Sequence, residues 1–310
     1  MRLETNIMAN NCGLIFVGGP GRSGTSYVAR QVASHPYVAS FPNVELKLFS
    51  EFGGVYDLGR VLTESYSPNR SFAAFKSFEF MASQLLSGGY GEAIGDDREI
   101  NQIVELGINQ FKKSLLENDL LSPISKECYR NIVANLVNEF SKASKLHKPE
   151  AIYFLEKTPH ILLNPRFLHG FAPQCFCIHV QRDPRAIAVS LREQAWGPDT
   201  LEQCAQWVKN YLKAWENQRR IFEEVSLSLI SMDIDKIAQD PELHGNQILE
   251  FLNLPANSEL FSDADPNQLD RWKEKITKEE RRYLDAIFFA KSNFRKKQCR
   301  DEKSILRNVS

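Results

Sequence analysis

The residues best suited to chemistry lie near the start of the chain, in the segment Leu14–Ser26, LIFVGGPGRSGTS. An apolar run ends there in a glycine-rich turn and continues as a helix, which is the layout of a phosphate-binding loop. Gly19 and Gly24 have the spacing of the G-x-x-x-x-G-K-[ST] motif, but Thr25 stands at the lysine position. That lysine reaches the β and γ phosphates of a nucleoside triphosphate. Its absence argues for another anionic ligand.

The loop supplies a different set of groups. It has the guanidinium of Arg22, the backbone N–H groups of Gly21 through Ser26, and hydroxyls on Ser23, Thr25 and Ser26. An arginine fork and a helix N-terminus provide positive charge without a metal ion. These groups favour a sulfuryl donor over a nucleoside triphosphate.

A second segment, QRDPRAIAVS, has a similar strand-to-helix layout. Cys175–Gln181 alternates as a strand does, Pro184 suits the first position of a helix, and Asp183 suits its N-cap. Arg182 then lies at the carboxyl end of the strand, with Ser190 about two turns into the helix. An arginine in this position can bind a phosphate through two parallel hydrogen bonds.

The two segments resemble, in this order, the donor-binding motifs of sulfotransferases that use 3′-phosphoadenosine 5′-phosphosulfate (PAPS). GPGRSGTS matches the loop that binds the 5′-phosphosulfate, and Arg182 with Ser190 matches the pair that holds the 3′-phosphate. The resemblance covers residues 12 to 50 and 151 to 195 well and the last third weakly. It implies a P-loop-kinase-like three-layer α/β fold with a central parallel sheet, PAPS as the donor, and no metal. Taken singly, the motifs could be a tight turn and a capped helix.

The resemblance also implies a catalytic base after the second strand, where many relatives carry a glutamate or a histidine. We expect that strand at Tyr37–Phe41, so the candidate base is Glu45, although it lies about two residues later than in the protein-tyrosine branch. Glu51 is a competitor, and Lys47 could orient sulfuryl oxygens. Glu45 could otherwise be an ordinary exposed carboxylate.

Lys157 is the second catalytic candidate, in the segment EKTP at the end of a strand expected over Ala151–Glu156. Relatives carry a lysine in a similar segment, which implies that Lys157, together with Arg22, stabilises the transferring group. The alternative is a surface lysine paired with Glu156.

The chain also departs from the family pattern. Gln194 stands where the tyrosine-sulfating branch has a further arginine, with Arg192 two positions earlier, and the R-K-G triplet of the cytosolic branch is missing. The segment LDRWKEKIT resembles one that precedes the last helix of bacterial relatives. Arg271, Trp272 or Lys273 is therefore a candidate to close over the nucleotide.

The remaining pattern predicts one domain over residues 1–310 with a helical insertion. Turn-rich and then helix-periodic sequence at about 60–148 interrupts the alternation of strands and helices. We expect this insertion over the carboxyl edge of the sheet, shaping the acceptor site. The other expected strands are Leu14–Val17 and Leu227–Met232, and the other helices are Thr25–Ser34, Ile161–His169, Leu201–Val225, Pro241–Leu252 and Lys278–Ala290. Trp196 and Trp207 could be stacking platforms for adenine or the acceptor, but we assign both to helical core packing and leave them out of the site.

Composition excludes several classes of function. A net charge of −1 gives no general attraction to nucleic acid or anionic membranes. No apolar run reaches 18 residues, and the first residues have no leader pattern, so we expect a cytoplasmic protein without a membrane partner. The six cysteines show no metal-ligand or disulfide spacing. The expected partner is a small-molecule or carbohydrate acceptor.

Two other functions remain open at this stage. One is a metal-dependent nucleotide or small-molecule kinase on the same scaffold, although the loop lysine is missing. The other is a catalytically silent nucleotide-binding module in which the phosphate loop is kept and transfer is lost.

Overall fold

Five parallel strands form the centre of the molecule in the computed structural model, which describes residues 12–89, 93–117 and 122–289. Their spatial order is β2-β3-β1-β4-β5, and every neighbouring pair is parallel. The strands are β1 Gly13–Gly18, β2 Val38–Ala39, β3 Tyr153–Lys157, β4 Phe176–Gln181 and β5 Ser228–Asp233. From β1 the chain passes to β2 on one side of that strand, and from β3 it crosses to β4 on the other side. The carboxyl end of β1 is therefore a topological switch point, where such sheets bind ligands.

Helices surround this sheet. They are α1 Thr25–Ser34, α2 Val55–Thr63, α3 Pro68–Leu86, α4 Arg98–Glu117, α5 Lys126–Ser144, α6 Pro165–Phe171, α7 Pro184–Arg192, α8 Leu201–Glu224, α9 Ile234–Gln239, α10 Pro241–Phe251 and α11 over residues 278–289. Three short 3₁₀ helices cover Ile161–Leu163, Pro266–Gln268 and Arg271–Lys275.

Local sequence explains where several helices begin. The side chain of Thr200 accepts a hydrogen bond from the Gln203 amide, and Gln203 bonds back to the Thr200 amide, which completes a capping box at the start of α8. Asp183 caps α7, and Pro184 is its first residue. The predicted bounds of α1 are confirmed.

Strand alternation divides the core between the two faces of the sheet. Ile15 and Val17 point into a cluster shared with α1 and α10, and Phe16 points into a larger cluster shared with α2 to α6 and α8. Both clusters are apolar and buried, so each face of the sheet is stabilised by burial against helices. The predicted three-layer α/β fold with a parallel sheet is confirmed.

Helices α2 to α5 occupy the region in which the sequence predicts an insertion. They pack on the face of the sheet that carries Phe16 and Phe154. The chain at the carboxyl edge is the segment 43–51, where Val44 O accepts a hydrogen bond from Lys157 N at 2.8 Å. The apolar stripes of the insertion helices are too extensive to leave at an open edge, so they cover the sheet face.

Two predicted elements are shorter than expected. The strand expected at Tyr37–Phe41 consists only of Val38–Ala39, between Pro36 and Pro42. The helix expected at Ile161–His169 is a 3₁₀ turn followed by α6, because Pro165 lacks the amide needed to continue the first turn.

Cys12, Cys175, Cys177 and Cys204 are free cysteines, and Cys175 and Cys177 are both buried with their sulfurs 3.8 Å apart. No helix among the described residues is both long and apolar enough to cross a membrane. Cys299, the basic segment KSNFRKKQCR and the first eleven residues lie outside the described residues.

Candidate active site

The loop between β1 and α1 has the backbone geometry of a tight anion-binding turn. Arg22 has φ 73° and Gly24 has φ 95°, both in the left-handed region, and Ser23 N donates to Pro20 O at 3.1 Å. A Cβ on Gly19 would lie 2.4 Å from Val180 O, so this position accepts only glycine. Left-handed geometry at a non-glycine residue such as Arg22 is costly and is typical of functional sites.

The N-terminus of α1 is left without a compensating side chain. Gly24 is its N-cap, no side chain caps the helix, and the first turn contains no acidic residue. Ser23 is fully buried, and its hydroxyl oxygen has no partner within the described part of the chain. Because buried polar groups normally have a partner, this hydroxyl and the free helix end fit an anionic ligand.

The two sequence motifs meet at this loop. Arg22 Nε donates to Ser190 Oγ at 3.1 Å, and Arg182 Nη1 donates to Arg22 O at 3.3 Å. We call Gly21–Ser26 together with Arg182 and Ser190 the donor cradle. The fold therefore joins residues that are 160 and more positions apart in the sequence.

The positive charge of the donor cradle is not neutralised. Neither Arg22 nor Arg182 forms an ion pair in the described ranges, whereas Arg185 pairs with Asp183 at 2.6 Å and with Asp285 at 2.5 Å. Burial lowers the pKa of Arg182, and Asp235 opposes that shift. Two guanidinium groups without acidic partners, beside a free helix N-terminus, can bind phosphate or sulfate.

A second group of site residues lies at the carboxyl end of β3. Lys157 Nζ donates to Glu45 Oε2, and the Lys157 side chain is 2% exposed while that of Glu45 is 22% exposed. Lys157 is in register with Val17 of β1, and Gly19 N donates to Pro159 O at 2.9 Å. The two predicted catalytic residues therefore pair with each other beside the start of the loop.

Glu156 adds a second carboxyl group to this region. Burial raises its pKa to about 8, although the Thr158 hydroxyl, which donates to Glu156 Oε1 at 2.6 Å, and the Lys157 charge both oppose that shift. Thr158 also accepts a hydrogen bond from Lys47 N at 3.3 Å. We call Glu45, Glu156, Lys157 and Thr158 the buried acid–base cluster. The hydrogen bond from Lys157 Nζ goes to Glu45 and not to Glu156.

A cavity of about 320 Å³ opens beside the donor cradle. Arg182 lines it together with Tyr27 and Ile234, and Tyr27 donates to Asp263 Oδ1 at 2.7 Å on its wall. Asp235 also lines it, and burial raises the pKa of this carboxyl. The cavity can hold a nucleoside that carries a phosphate, because an aromatic ring, an aliphatic side chain and polar groups lie next to an arginine.

The C-terminal segment meets this cavity through other residues than those expected. Gln268 and Leu269 line it, whereas Trp272 is only 4% exposed and packs under the Arg185 guanidinium at 4.9 Å. Lys273 pairs with Asp270 at 2.6 Å. The indole is therefore part of the core between α7 and α11. Arg271 is exposed.

Arg192, at a position where the sequence departs from the family pattern, has structural contacts. Arg192 Nη1 pairs with Glu280 Oε1 at 2.7 Å, and its Nη2 donates to Lys275 O at 3.1 Å. This arginine joins the end of α7 to the segment before α11.

Trp196 and Trp207 both lie beside the loop, and Trp207 also packs against the core cluster of α7 and α8, as predicted. Trp196 is 64% exposed, and a Cβ on Gly21 would lie 3.6 Å from Trp196 Cη2 and 3.7 Å from Trp207 Cη2. The core assignment of Trp196 is therefore wrong. A signal was present, because Gly197-Pro198 predicts a turn, so Trp196 falls after the end of the helix and not on its buried face.

Within the described residues no group of three histidine, cysteine, aspartate or glutamate side chains could hold a metal ion. His179, which is buried between β1 and α8, stacks on Trp215 with ring centroids 3.7 Å apart. Burial lowers its pKa to about 3, so it is a neutral core residue.

Comparisons with known proteins identify the family of the chain. The model of the sulfotransferase family matches residues 15–258, and the chain belongs to that family. None of the curated proteins matches the chain significantly.

Solved structures of bacterial sulfotransferases are similar to the chain at low identity. The sulfotransferase domain from the Synechococcus PCC 7002 olefin synthase is 17% identical, with 89% of this chain and 94% of that chain covered and a TM-score of 0.47. The sulfotransferase domain from the curacin biosynthetic pathway is 15% identical, with 90% and 98% covered and a TM-score of 0.48. Sulfotransferase STF1 from Mycobacterium tuberculosis H37Rv is 15% identical, with 85% and 76% covered and a TM-score of 0.40.

Proposed function

We propose that this protein transfers the sulfuryl group of PAPS to a hydroxyl or amine of a small-molecule or carbohydrate acceptor and releases adenosine 3′,5′-bisphosphate (PAP). The observation that carries the proposal is the donor cradle, where Arg22 and Arg182 come together without acidic partners at the uncapped start of α1. Membership of the sulfotransferase family supports the same reaction class.

The donor cradle would divide the donor between its two motifs. Arg22 and the backbone of Gly21–Ser26 would hold the 5′-phosphosulfate, and the buried Ser23 hydroxyl would gain the partner that it lacks. Arg182 and Ser190 would hold the 3′-phosphate. The cavity beside Arg182, with Tyr27 on its wall, would take the adenosine.

The buried acid–base cluster would carry the transfer. Glu45 would accept the acceptor proton as the acceptor oxygen or nitrogen attacks sulfur. The bond from sulfur to the bridging phosphate oxygen breaks in the same step, and its electron pair leaves with PAP. Lys157 and Arg22 would stabilise the negative charge on the transferring group and on that oxygen.

The test is calorimetric binding of PAP, AMP and ATP with and without magnesium, followed by PAP release from PAPS with a panel of hydroxylated acceptors. We expect magnesium-independent preference for PAP and acceptor-dependent release. Magnesium-dependent preference for ATP would instead support the kinase. PAP binding without transfer to any acceptor would support the silent nucleotide-binding module.

A further inference from the structure

Four aromatic side chains lie next to one another, starting at the phosphate loop: Trp196 is exposed, Trp207 and His160 are half-buried, and Tyr211 is buried. The rings of Trp196 and Trp207 lie against Gly21, and the Trp207 ring is nearly parallel to that of Tyr211, with centroids 6.2 Å apart. The His160 ring lies 5.9 Å from Trp207 and 5.8 Å from Tyr211. We call these four residues the aromatic wall.

The aromatic wall and the nucleoside cavity lie on different sides of the loop. Tyr27 and Ile234, which line the cavity, pack into the core cluster of Ile15 and Val17. Trp207 packs into the cluster between α7 and α8, and Tyr211 packs into the cluster of Phe16. A nucleoside in the cavity therefore leaves the aromatic wall open for a second molecule whose edge meets the loop.

The wall is close to the groups that would act on that second molecule. Tyr211 donates to Pro159 O at 3.5 Å, two residues beyond Lys157, and His160 Nδ1 lies 3.6 Å from Glu51 Oε1. The exposed indole of Trp196 offers a large apolar face next to the cradle. The aromatic ring of a ligand can bind the face of an indole by stacking and by burial of apolar surface. The Glu51 carboxylate beside His160 disfavours an anionic molecule and favours a neutral one.

We propose that the aromatic wall is the acceptor subsite and that it selects a neutral aryl alcohol, seated with its ring on Trp196 and Trp207 and its hydroxyl toward the loop. This inference rests on the proposed function for the identity of the second molecule. The chemistry of the base agrees with it. A phenol is far more acidic than an aliphatic alcohol, so proton transfer to Glu45 is less uphill from a phenol.

The test is binding of 2-naphthol to the PAP-saturated protein, measured by calorimetry, with methyl glucoside and hexanol as comparison ligands. We expect 2-naphthol to bind at least about tenfold more tightly than either. Trp196→Ala should weaken 2-naphthol about tenfold and leave the PAP dissociation constant unchanged, and Trp196→Phe should recover most of the loss. Phe80→Ala is the matched control, since Phe80 is a similarly exposed aromatic residue on α3.

Trp207 is half-buried, so Trp207→Phe is used beside Trp207→Ala, and the midpoint of thermal unfolding reports whether each variant is folded. Any of three results would overturn the inference: 2-naphthol does not bind, the three ligands bind equally, or the Trp196→Ala protein binds 2-naphthol with unchanged affinity. A Trp196-dependent 2-naphthol site that shows no transfer from PAPS would leave the subsite standing and overturn the proposed function instead.

Discussion

The donor cradle and the buried acid–base cluster lie beside each other, yet they handle charge in opposite ways. In the cradle, Arg22 and Arg182 bond to a hydroxyl and a carbonyl, so their positive charge is available to a ligand. In the cluster, Lys157 is buried against Glu45, so its charge is already compensated within the protein. Under the proposed function, the cradle would bind the donor and the cluster would take part in the transfer, in which charge moves.

Glu45→Gln is the sharpest test of this division and has the largest expected effect. The amide keeps the size of the side chain but cannot accept a proton, so kcat should fall about 10³-fold while PAP affinity stays within about threefold. Steady-state rates and calorimetry measure the two quantities. Glu51→Gln, in the same segment, is the control that should keep its rate. If Glu51→Gln loses the activity and Glu45→Gln keeps it, the base is assigned to the wrong carboxylate.

Lys157→Met should have the next largest effect. Methionine fills similar space without the charge, so kcat should fall about 10²-fold through lost transition-state stabilisation, and PAP affinity should change little. Lys148→Met is matched to it, because Lys148 is half-buried and donates to the carbonyl oxygens of Ala33, His35 and Val38. That control should lower the melting temperature and leave kcat unchanged. Equal loss of kcat in both proteins would mean that Lys157 acts only in folding.

Arg182→Ala tests the binding side of the comparison. The substitution should remove about 2 kcal/mol of charged hydrogen bonding to the 3′-phosphate, so PAP should bind about 30-fold more weakly. AMP has no 3′-phosphate, so its affinity should fall far less. Calorimetric titration of both nucleotides measures the ratio. Arg219→Ala, a surface arginine paired with Glu216, is the control and should change neither. An equal loss for PAP and AMP would contradict the assignment of Arg182 to the 3′-phosphate.

The test of Glu156 comes last because its expected effect is on stability and not on turnover or nucleotide binding. Burial raises the pKa of this carboxyl from 4.5 to about 8 in the folded state, so between these values the folded protein binds a proton that the unfolded chain has lost. The contribution of this bound proton to the free energy of unfolding is therefore fully present below about pH 4.5. It is lost as the pH rises toward 8, by up to about 1.4 kcal/mol per pH unit. Urea unfolding from pH 5 to 8 should show a flatter decline for Glu156→Gln. Parallel curves for the two proteins would show that Glu156 is already ionised.

Much of the donor side could be predicted because its signals are local. Two local signals set the backbone geometry within a few residues. One is a glycine-rich turn after an apolar strand, and the other is an aspartate followed by a proline at the end of a later strand. The predicted starts of α1 and α7 agree with the structure for this reason. Glu45 and Lys157 were chosen singly from the sequence, and their contact follows from the packing of segment 43–51 against β3.

The sequence by itself determined the alternation of strands and helices, the two anion-binding motifs and the family, since each depends on short-range spacing. Only the tertiary structure decided that Arg22 meets Ser190, that Glu156 is buried enough to stay protonated, and that Trp196 lies exposed beside Gly21. It also decided that the insertion covers a face of the sheet. Contacts, burial and pKa shifts depend on groups that approach from distant parts of the chain, and no local pattern encodes their separation.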